Sequence, residues 1–108
     1  MDEDWGFARA ADLARTADES FALASIAAIE AAWQSADLDR GTFGFILLMA
    51  NGQRLYWRYT SGDPEAGRIE DLEVTELASE EMPASDAEAP WYRPDRLNAQ
   101  LAVLRRFT

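Results

Sequence analysis

The middle third of the chain has the clearest pattern of hydrophobic and polar positions. Residues 43–50 are rich in β-forming residue types, and residues 53–60 have the composition of a returning strand. Asn51-Gly52 lies between them, and this dipeptide favours a two-residue type I′ turn, which needs positive φ at both central positions. The pattern therefore predicts a β-hairpin with Asn51 and Gly52 as its turn.

A two-residue turn fixes the register of the hairpin, with Leu48 opposite Leu55 and Ile46 opposite Trp57. Side chains alternate along each strand, so two faces follow. One face has no charge and contains Gly44, Ile46, Leu48, Ala50, Leu55, Trp57 and Tyr59. The other combines large apolar groups with two arginines and contains Phe43, Phe45, Leu47, Met49, Arg54, Tyr56 and Arg58. Both faces are apolar, so either helices or a partner protein must cover the second one.

The first third of the chain predicts helices, because residues 5–37 are rich in alanine and contain no proline. Thr16-Ala17-Asp18-Glu19 matches the capping box that marks a helix start. We therefore expect one helix over about residues 5–15 and a second over about 17–36, with a single continuous helix as the alternative. The second helix has an apolar stripe that serves either as core or as a self-association surface, formed by Ala22, Ile26, Ile29 and Trp33.

The last third predicts a further strand and a helix. Residues 68–77 read as a weaker strand, in which Leu72 and Val74 alternate with acids. An acidic loop over residues 79–90 follows, either ordered or partly disordered. Pro94 suits the start of a final helix, whose buried stripe consists of Leu97, Leu101 and Leu104. Trp91 and Tyr92 are expected to pack as core under the acidic loop.

Together these elements predict a single α+β domain over residues 1–108. Its core is a three-stranded antiparallel β-meander, with the N-terminal Ala-rich helices and the C-terminal helix packed on it. The length of 108 residues is that of one domain.

Composition narrows the chemistry that the chain can perform. It has no Cys, His or Lys, so an enzyme would depend on carboxylates, Arg, Tyr, Ser or Thr alone. No phosphate-binding loop, dinucleotide fingerprint or Gly-x-Ser-x-Gly motif occurs. Asp37-x-Asp39-x-Gly41 fails as a calcium loop, since the glycine is one position early and Leu48 replaces the bidentate glutamate. We expect no catalysis, no cofactor and no metal site.

The net charge of the chain limits the classes of partner that it is expected to bind. Twenty acids against 10 bases give a net charge of −10, which disfavours direct binding to nucleic acid or to an anionic membrane and favours a basic protein partner. The acidic N-terminus is unlike a signal peptide, and the longest apolar run, residues 43–50, is too short to span a membrane. We therefore expect a cytoplasmic protein.

The functional hypothesis that fits best is a small, acidic, non-catalytic protein-interaction module that forms a homodimer. An acidic nucleic-acid mimic that inhibits a basic DNA- or RNA-binding protein is one alternative, and a small carboxylate-based enzyme is another. The candidate interface follows from the second hairpin face and the helix stripe: Phe43, Phe45, Leu47, Met49, Tyr56, Arg54, Arg58, Ala22, Ile26 and Ile29.

Overall fold

A computed structural model describes residues 3–35, 41–62, 65 and 67–106 as one antiparallel sheet with a helix before it and a helix after it. The elements in chain order are α1 (Glu3–Ala17), β1 (Ile26–Gln34), β2 (Thr42–Met49), β3 (Arg54–Thr60), β4 (Asp71–Leu77) and α2 (Asp95–Arg105). The sheet has the meander order β1-β2-β3-β4. The predicted α+β class is confirmed, but the sheet has four strands, and one helix precedes it.

Strand β1 occupies the place of the second predicted helix, so the prediction of a helix over 17–36, or of one continuous helix, was wrong. The pairing of β1 with β2 shifts register twice, between Ile26 and Ala28 and between Ile29 and Ala31. Each shift is a β-bulge that adds one residue to β1. The buried positions Ile26, Ile29 and Ala32 are therefore three residues apart, which is the spacing of a helix face.

The predicted capping box at Thr16 lies at the end of α1 and not at the start of a helix. The Thr16 hydroxyl donates a hydrogen bond to the carbonyl of Asp12, 2.9 Å away. Asp18 then closes a turn by accepting hydrogen bonds from the backbone N–H and the hydroxyl of Ser20. Asp37 and Asp39 of the rejected calcium pattern lie outside the described residues.

The β2–β3 hairpin has a three-residue loop, so the predicted two-residue turn was wrong. The Met49 N–H donates to the carbonyl of Gln53 at 2.8 Å, and the Gly52 N–H donates to the carbonyl of Met49 at 2.9 Å. Gly52 has a φ of 89°, and neither Ala50 nor Asn51 has a positive φ. This is the arrangement of a turn followed by a bulge with a left-handed glycine.

The longer loop moves the register by one residue, which exchanges the two sides of β3 relative to β2. Phe45 lies opposite Trp57, and Ile46 lies opposite Tyr56. The helix face of the hairpin is therefore entirely apolar and contains Phe43, Phe45, Leu47, Met49, Leu55, Trp57 and Tyr59. The opposite side, the loop face, contains Gly44, Ile46, Leu48, Arg54, Tyr56 and Arg58. The predicted pair of apolar faces is in fact one apolar face and one amphipathic face.

Both helices pack on the helix face. Helix α1 contributes Phe7, Ala10, Ala11 and Ala14 to the core, and α2 contributes Leu97 and Leu101. A Cβ atom at Gly6 would lie 2.8 Å from the ring of Phe43, so glycine allows α1 to approach the sheet closely. Leu104, which the sequence places in the buried stripe of α2, is 45% exposed.

The loop face is covered by residues 78–91, which we call the cover segment. Trp33, Ile46, Tyr56 and Leu77 are buried there, with Trp91 packed against them. The Trp33 ring lies on Gly44, where a Cβ atom would be 1.9 Å from its indole nitrogen. Trp33 therefore packs over this strand glycine. Trp91 packs under the cover segment as expected, although it is only partly buried, whereas the partly buried Tyr92 packs against the core of the helix face instead.

Two arginines attach the cover segment to the sheet. Arg54 donates to the carbonyls of Ala78 at 2.7 Å and Glu81 at 3.1 Å. Arg58 makes a two-point ion pair with Asp86, with 3.1 Å between Nε and Oδ1. The hydrogen bond from Asp86 raises the pKa of Arg58 further. The chain's own acidic segment therefore packs on the arginine-bearing side of the hairpin.

Candidate functional site

A groove lies on the helix face where α1 ends above the outer part of the sheet. Its volume is about 470 Å³, within the range of ligand-binding clefts. Because α1 ends at Ala17, the groove lies between the C-terminal end of this helix and β4. Its lining consists of Leu13, Ala14, Thr16, Ala17, Asp18, Phe21, Leu55, Trp57, Glu70, Asp71, Leu72 and Val74.

The apolar floor of the groove runs from the core to the surface. Trp57 is 1% exposed, Leu55 and Leu72 are half-buried, and Val74 on the last strand is 54% exposed. The Trp57 ring is fixed by Phe7 and Phe21, with ring centroids 5.9 Å and 5.4 Å away. A ligand side chain that covered Leu72 and Val74 would remove apolar surface from water and extend the existing core.

The charged groups in the lining are all carboxylates: Asp18, Glu70 and Asp71. Glu70 accepts hydrogen bonds from the Arg9 guanidinium, with 2.9 Å between Nε and Oε2, and from the Tyr59 hydroxyl. The bond from Arg9, with a smaller contribution from Tyr59, lowers the pKa of Glu70. Burial and the nearby Glu70 carboxylate raise the pKa of Tyr59. At neutral pH this end of the groove therefore holds a fixed carboxylate beside a neutral phenol.

Asp18 gives the groove a second fixed negative charge. Its Oδ1 accepts the Ser20 hydroxyl at 2.6 Å and the Ser20 backbone N–H at 3.0 Å. These hydrogen bonds lower the pKa of Asp18. The groove is thus an apolar cleft with ionised carboxylates at its margins.

The two edges of the sheet differ, and the groove lies at the open one. On the β1 edge, Ala32 and Tyr92 exchange backbone hydrogen bonds of 2.9 Å and 2.8 Å. The Asn98 side chain also bonds the N–H and the carbonyl of Ile29, at 2.8 Å and 2.7 Å. On the other edge, no backbone group of Asp71–Leu77 hydrogen-bonds to any described segment other than β3.

The predicted interface residues do not form one surface. The helices bury Phe43, Phe45, Leu47, Met49, Ile26 and Ile29. Arg54, Tyr56 and Arg58 lie on the other side of the sheet, next to the cover segment, and Ala22 is exposed away from both groups. The exposed apolar face on which the dimer prediction depended is therefore occupied within one copy of the chain.

The groove does not follow from the sequence pattern, because the predicted register placed Trp57 on the wrong side of the hairpin. One signal was available, because Leu72 and Val74 alternate with acids and so give the last strand one apolar side. That pattern predicts a half-covered strand, but not what lies above it.

The groove carries little catalytic chemistry of its own. Its polar lining side chains are three carboxylates and the Thr16 hydroxyl, which is already donated to Asp12. In the part of the chain that the structure describes, no group of three His, Cys, Asp or Glu side chains could hold a metal ion. No helix in that part is both long and apolar enough to cross a membrane.

Comparisons of the chain with protein-family models, with curated proteins and with solved structures found no match. The shape, the charge and the position of the groove are therefore the basis on which a function is inferred.

Proposed function

We propose that this protein is a small, acidic, non-catalytic interaction module whose groove binds a segment of a basic partner protein. The observation that carries the proposal is an apolar cleft whose charged lining groups are all carboxylates. Such a cleft fits a chain segment that presents apolar side chains with arginine or lysine beside them. The net charge of −10 attracts basic partners over a longer distance and speeds their association.

The groove suits a protein segment better than an enzymatic substrate. The carboxylates of Asp18 and Glu70 accept hydrogen bonds from neighbouring side chains, and both have a lowered pKa, whereas a carboxylic acid that donates a proton near neutral pH needs a raised one. The floor also continues outward to Val74 at the sheet edge, so a ligand that covers it must extend along β4.

A second copy of this chain is the competing occupant of the groove. The predicted homodimer would bring together two molecules that each have a net charge of −10, and their β4 strands would each contribute Asp71, Glu73 and Glu76. Like charges across a strand pair are destabilising. A basic partner removes this repulsion, so the charge favours it over self-association.

The test compares two matched variants, Val74→Ser and Val103→Ser. Both valines are about half exposed, at 54% and 51%, but Val74 lines the groove and Val103 lies on α2. Calorimetric titration with an apolar peptide containing arginines should give equal affinity for the unmodified protein and Val103→Ser. Val74→Ser should bind about fivefold more weakly, since it loses roughly 1 kcal/mol of apolar contact. A peptide with glutamate in place of arginine should not bind.

Three results would overturn this proposal. If the two variants lose affinity equally, the groove is not the binding site. If light scattering shows a mass that doubles with concentration and Val74→Ser abolishes the increase, a second copy is the occupant. If binding of basic proteins disappears in high salt and ignores both substitutions, the nucleic-acid mimic is the better hypothesis.

A further inference from the structure

We infer that the partner segment binds as a fifth strand, antiparallel to β4, with apolar residues opposite Leu72 and Val74 and basic residues opposite the acids of β4. This inference rests on the proposed function and specifies the form of its ligand. It follows from the direction of the backbone groups of β4, from the position of the groove and from the exposed acids of the strand.

The hydrogen bonds that close the β2–β3 hairpin fix the direction of every backbone group in the sheet. Met49 bonds to Gln53 at one end of the pair, and Ser61 bonds to Gly41 at the other, each at 2.8 Å. Hydrogen-bonded pairs alternate along an antiparallel ladder, so odd-numbered residues of β3 bond to β2 and even-numbered residues bond to β4. The pairs that bond across β3 and β4 therefore include Arg58 with Glu73.

The remaining residues of β4 direct their backbone groups away from the sheet. Because Asp71, Glu73, Thr75 and Leu77 bond to β3, the N–H and carbonyl groups of Leu72, Val74 and Glu76 point outward. Leu72 and Val74 also line the groove with their side chains. A strand that pairs with this edge would bond to Leu72 and Val74, and its directly opposed side chains would lie beside the groove.

The acids of β4 specify the other positions of the added strand. Asp71, Glu73 and Glu76 are exposed, and the Glu73 side chain retains 62% of its surface although Arg58 lies 4.0 Å away. Opposite charges directly across a strand pair are stabilising. Arginine or lysine is therefore expected opposite these three residues, and apolar residues opposite Leu72 and Val74.

An antiparallel strand that meets these requirements has a definite order. Read from its N-terminus, it begins opposite Glu76 and has the order Arg-Thr-Val-Arg-Leu-Arg, ending opposite Asp71. The same acids keep acidic strands away from this edge, which is how natural sheets avoid pairing with their own copies. The edge at β1 cannot accept a strand there in the same way, since Tyr92 and Asn98 already bond to it.

The experiment uses this hexapeptide, capped at both ends, and three N-methylated forms of it. The N–H groups of its Val and Leu would bond to β4, whereas the N–H of its central Arg would point to solvent. N-methylation at Val or at Leu should weaken binding about tenfold, because each removes a backbone hydrogen bond and introduces a clash. N-methylation at the central Arg should change the affinity by less than about twofold.

A variant of the protein tests the backbone hydrogen bonds from the side of β4 instead of the peptide. Val74→Pro removes an outward N–H while it leaves the ladder with β3 intact, and edge strands tolerate proline at such positions. It should bind the hexapeptide more weakly than Val74→Ser, which keeps the N–H. If Val74→Pro does not fold, the N-methylated peptides still decide the question with the unmodified protein.

The outcomes separate this inference from the proposed function. If the hexapeptide binds, Val74→Ser weakens it, and all three N-methylated forms bind equally, the groove binds its ligand without strand addition and only this inference fails. A scrambled peptide of the same composition, in which the two apolar residues are four positions apart, tests whether the groove binds a helical segment instead of a strand. If neither peptide binds the unmodified protein, both the inference and the proposed function are wrong.

Discussion

The two faces of the sheet are covered by different kinds of structure. Two helices cover the helix face, and the irregular cover segment of residues 78–91 covers much of the loop face. A helix bonds most of its own backbone groups, but an irregular segment must find other partners for them. Arg54 supplies two of these partners by bonding to the carbonyls of Ala78 and Glu81. An irregular cover therefore needs polar anchors on the surface that it covers, whereas a helix does not.

This difference also explains why the hairpin places two arginines among large apolar residues. Arg54 bonds to the Glu30 carboxylate as well as to the cover segment, and Glu30 is the extra residue of a bulge in β1. Arg58 bonds to Asp86. An arginine pattern that is typical of a binding surface here serves to attach one part of the chain to another.

The greatest loss of stability is expected when a buried residue is truncated, and two neighbouring residues on opposite faces allow the two kinds of cover to be compared. Leu47 and Ile46 are both fully buried, and each loses the same number of carbon atoms on replacement by alanine. Each substitution should lower the free energy of unfolding by about 2–5 kcal/mol. Leu47→Ala should lower the free energy of unfolding more than Ile46→Ala does. The cover segment can move into the space left by Ile46→Ala, whereas the two packed helices move less readily into the space left by Leu47→Ala. Chemical denaturation of both variants measures the difference.

An equal or larger loss for Ile46→Ala would contradict this view. It would mean that the cover segment is packed as rigidly as the helices. Ala99→Gly on the exposed surface of α2 serves as the control, with an expected cost of about 1 kcal/mol from helix propensity alone.

A smaller effect is expected from removing one anchor of the cover segment. Arg58→Met keeps an apolar stem of similar length but loses the ion pair with Asp86. The free energy of unfolding should fall by about 1 kcal/mol or less, because the Arg58 and Asp86 side chains are 32% and 34% exposed. Amide hydrogen exchange should accelerate in residues 85–91 and stay unchanged in α1. Arg96→Met, which removes an ion pair between a 67% exposed arginine and Asp4 of α1, should leave exchange in residues 85–91 unchanged.

Part of the hairpin follows directly from the sequence, and part of it does not. Alternation along each strand correctly sorted the residues of β2 and of β3 into two sets. The register between β2 and β3 depended on the length of the loop. Because Ala50 belongs to the loop and not to β2, the register differs by one residue from the predicted one. Asn-Gly is compatible with loops of two or three residues, so local sequence alone did not decide between them.

The prediction of a helix in place of β1 was wrong for a different physical reason. Its two bulges convert a strand period of two into a spacing of three, so Ile26, Ile29 and Ala32 have the pattern of a helix. Alanine-rich composition supported the same mistake, and tertiary pairing with β2 prevailed over helix propensity. The groove could not be predicted for the first of these reasons, because only the correct register places Trp57 on the helix face, where it lines the groove.

The smallest expected effect concerns the ion pair between Arg9 and Glu70, which links α1 to the segment before β4. The pKa of Glu70 is lowered in the folded protein, from 4.5 for the free side chain. A lowered pKa contributes stability that is fully present above the unfolded pKa and is lost as pH falls through the folded pKa. The difference in unfolding free energy between the unmodified protein and Glu70→Gln should therefore be constant near neutral pH and should shrink below about pH 4.5. Glu19→Gln, at an exposed position, controls for the loss of one negative charge. A difference that grows as the pH falls would show that Glu70 is held in its protonated form, and the groove would then lack one of its fixed charges.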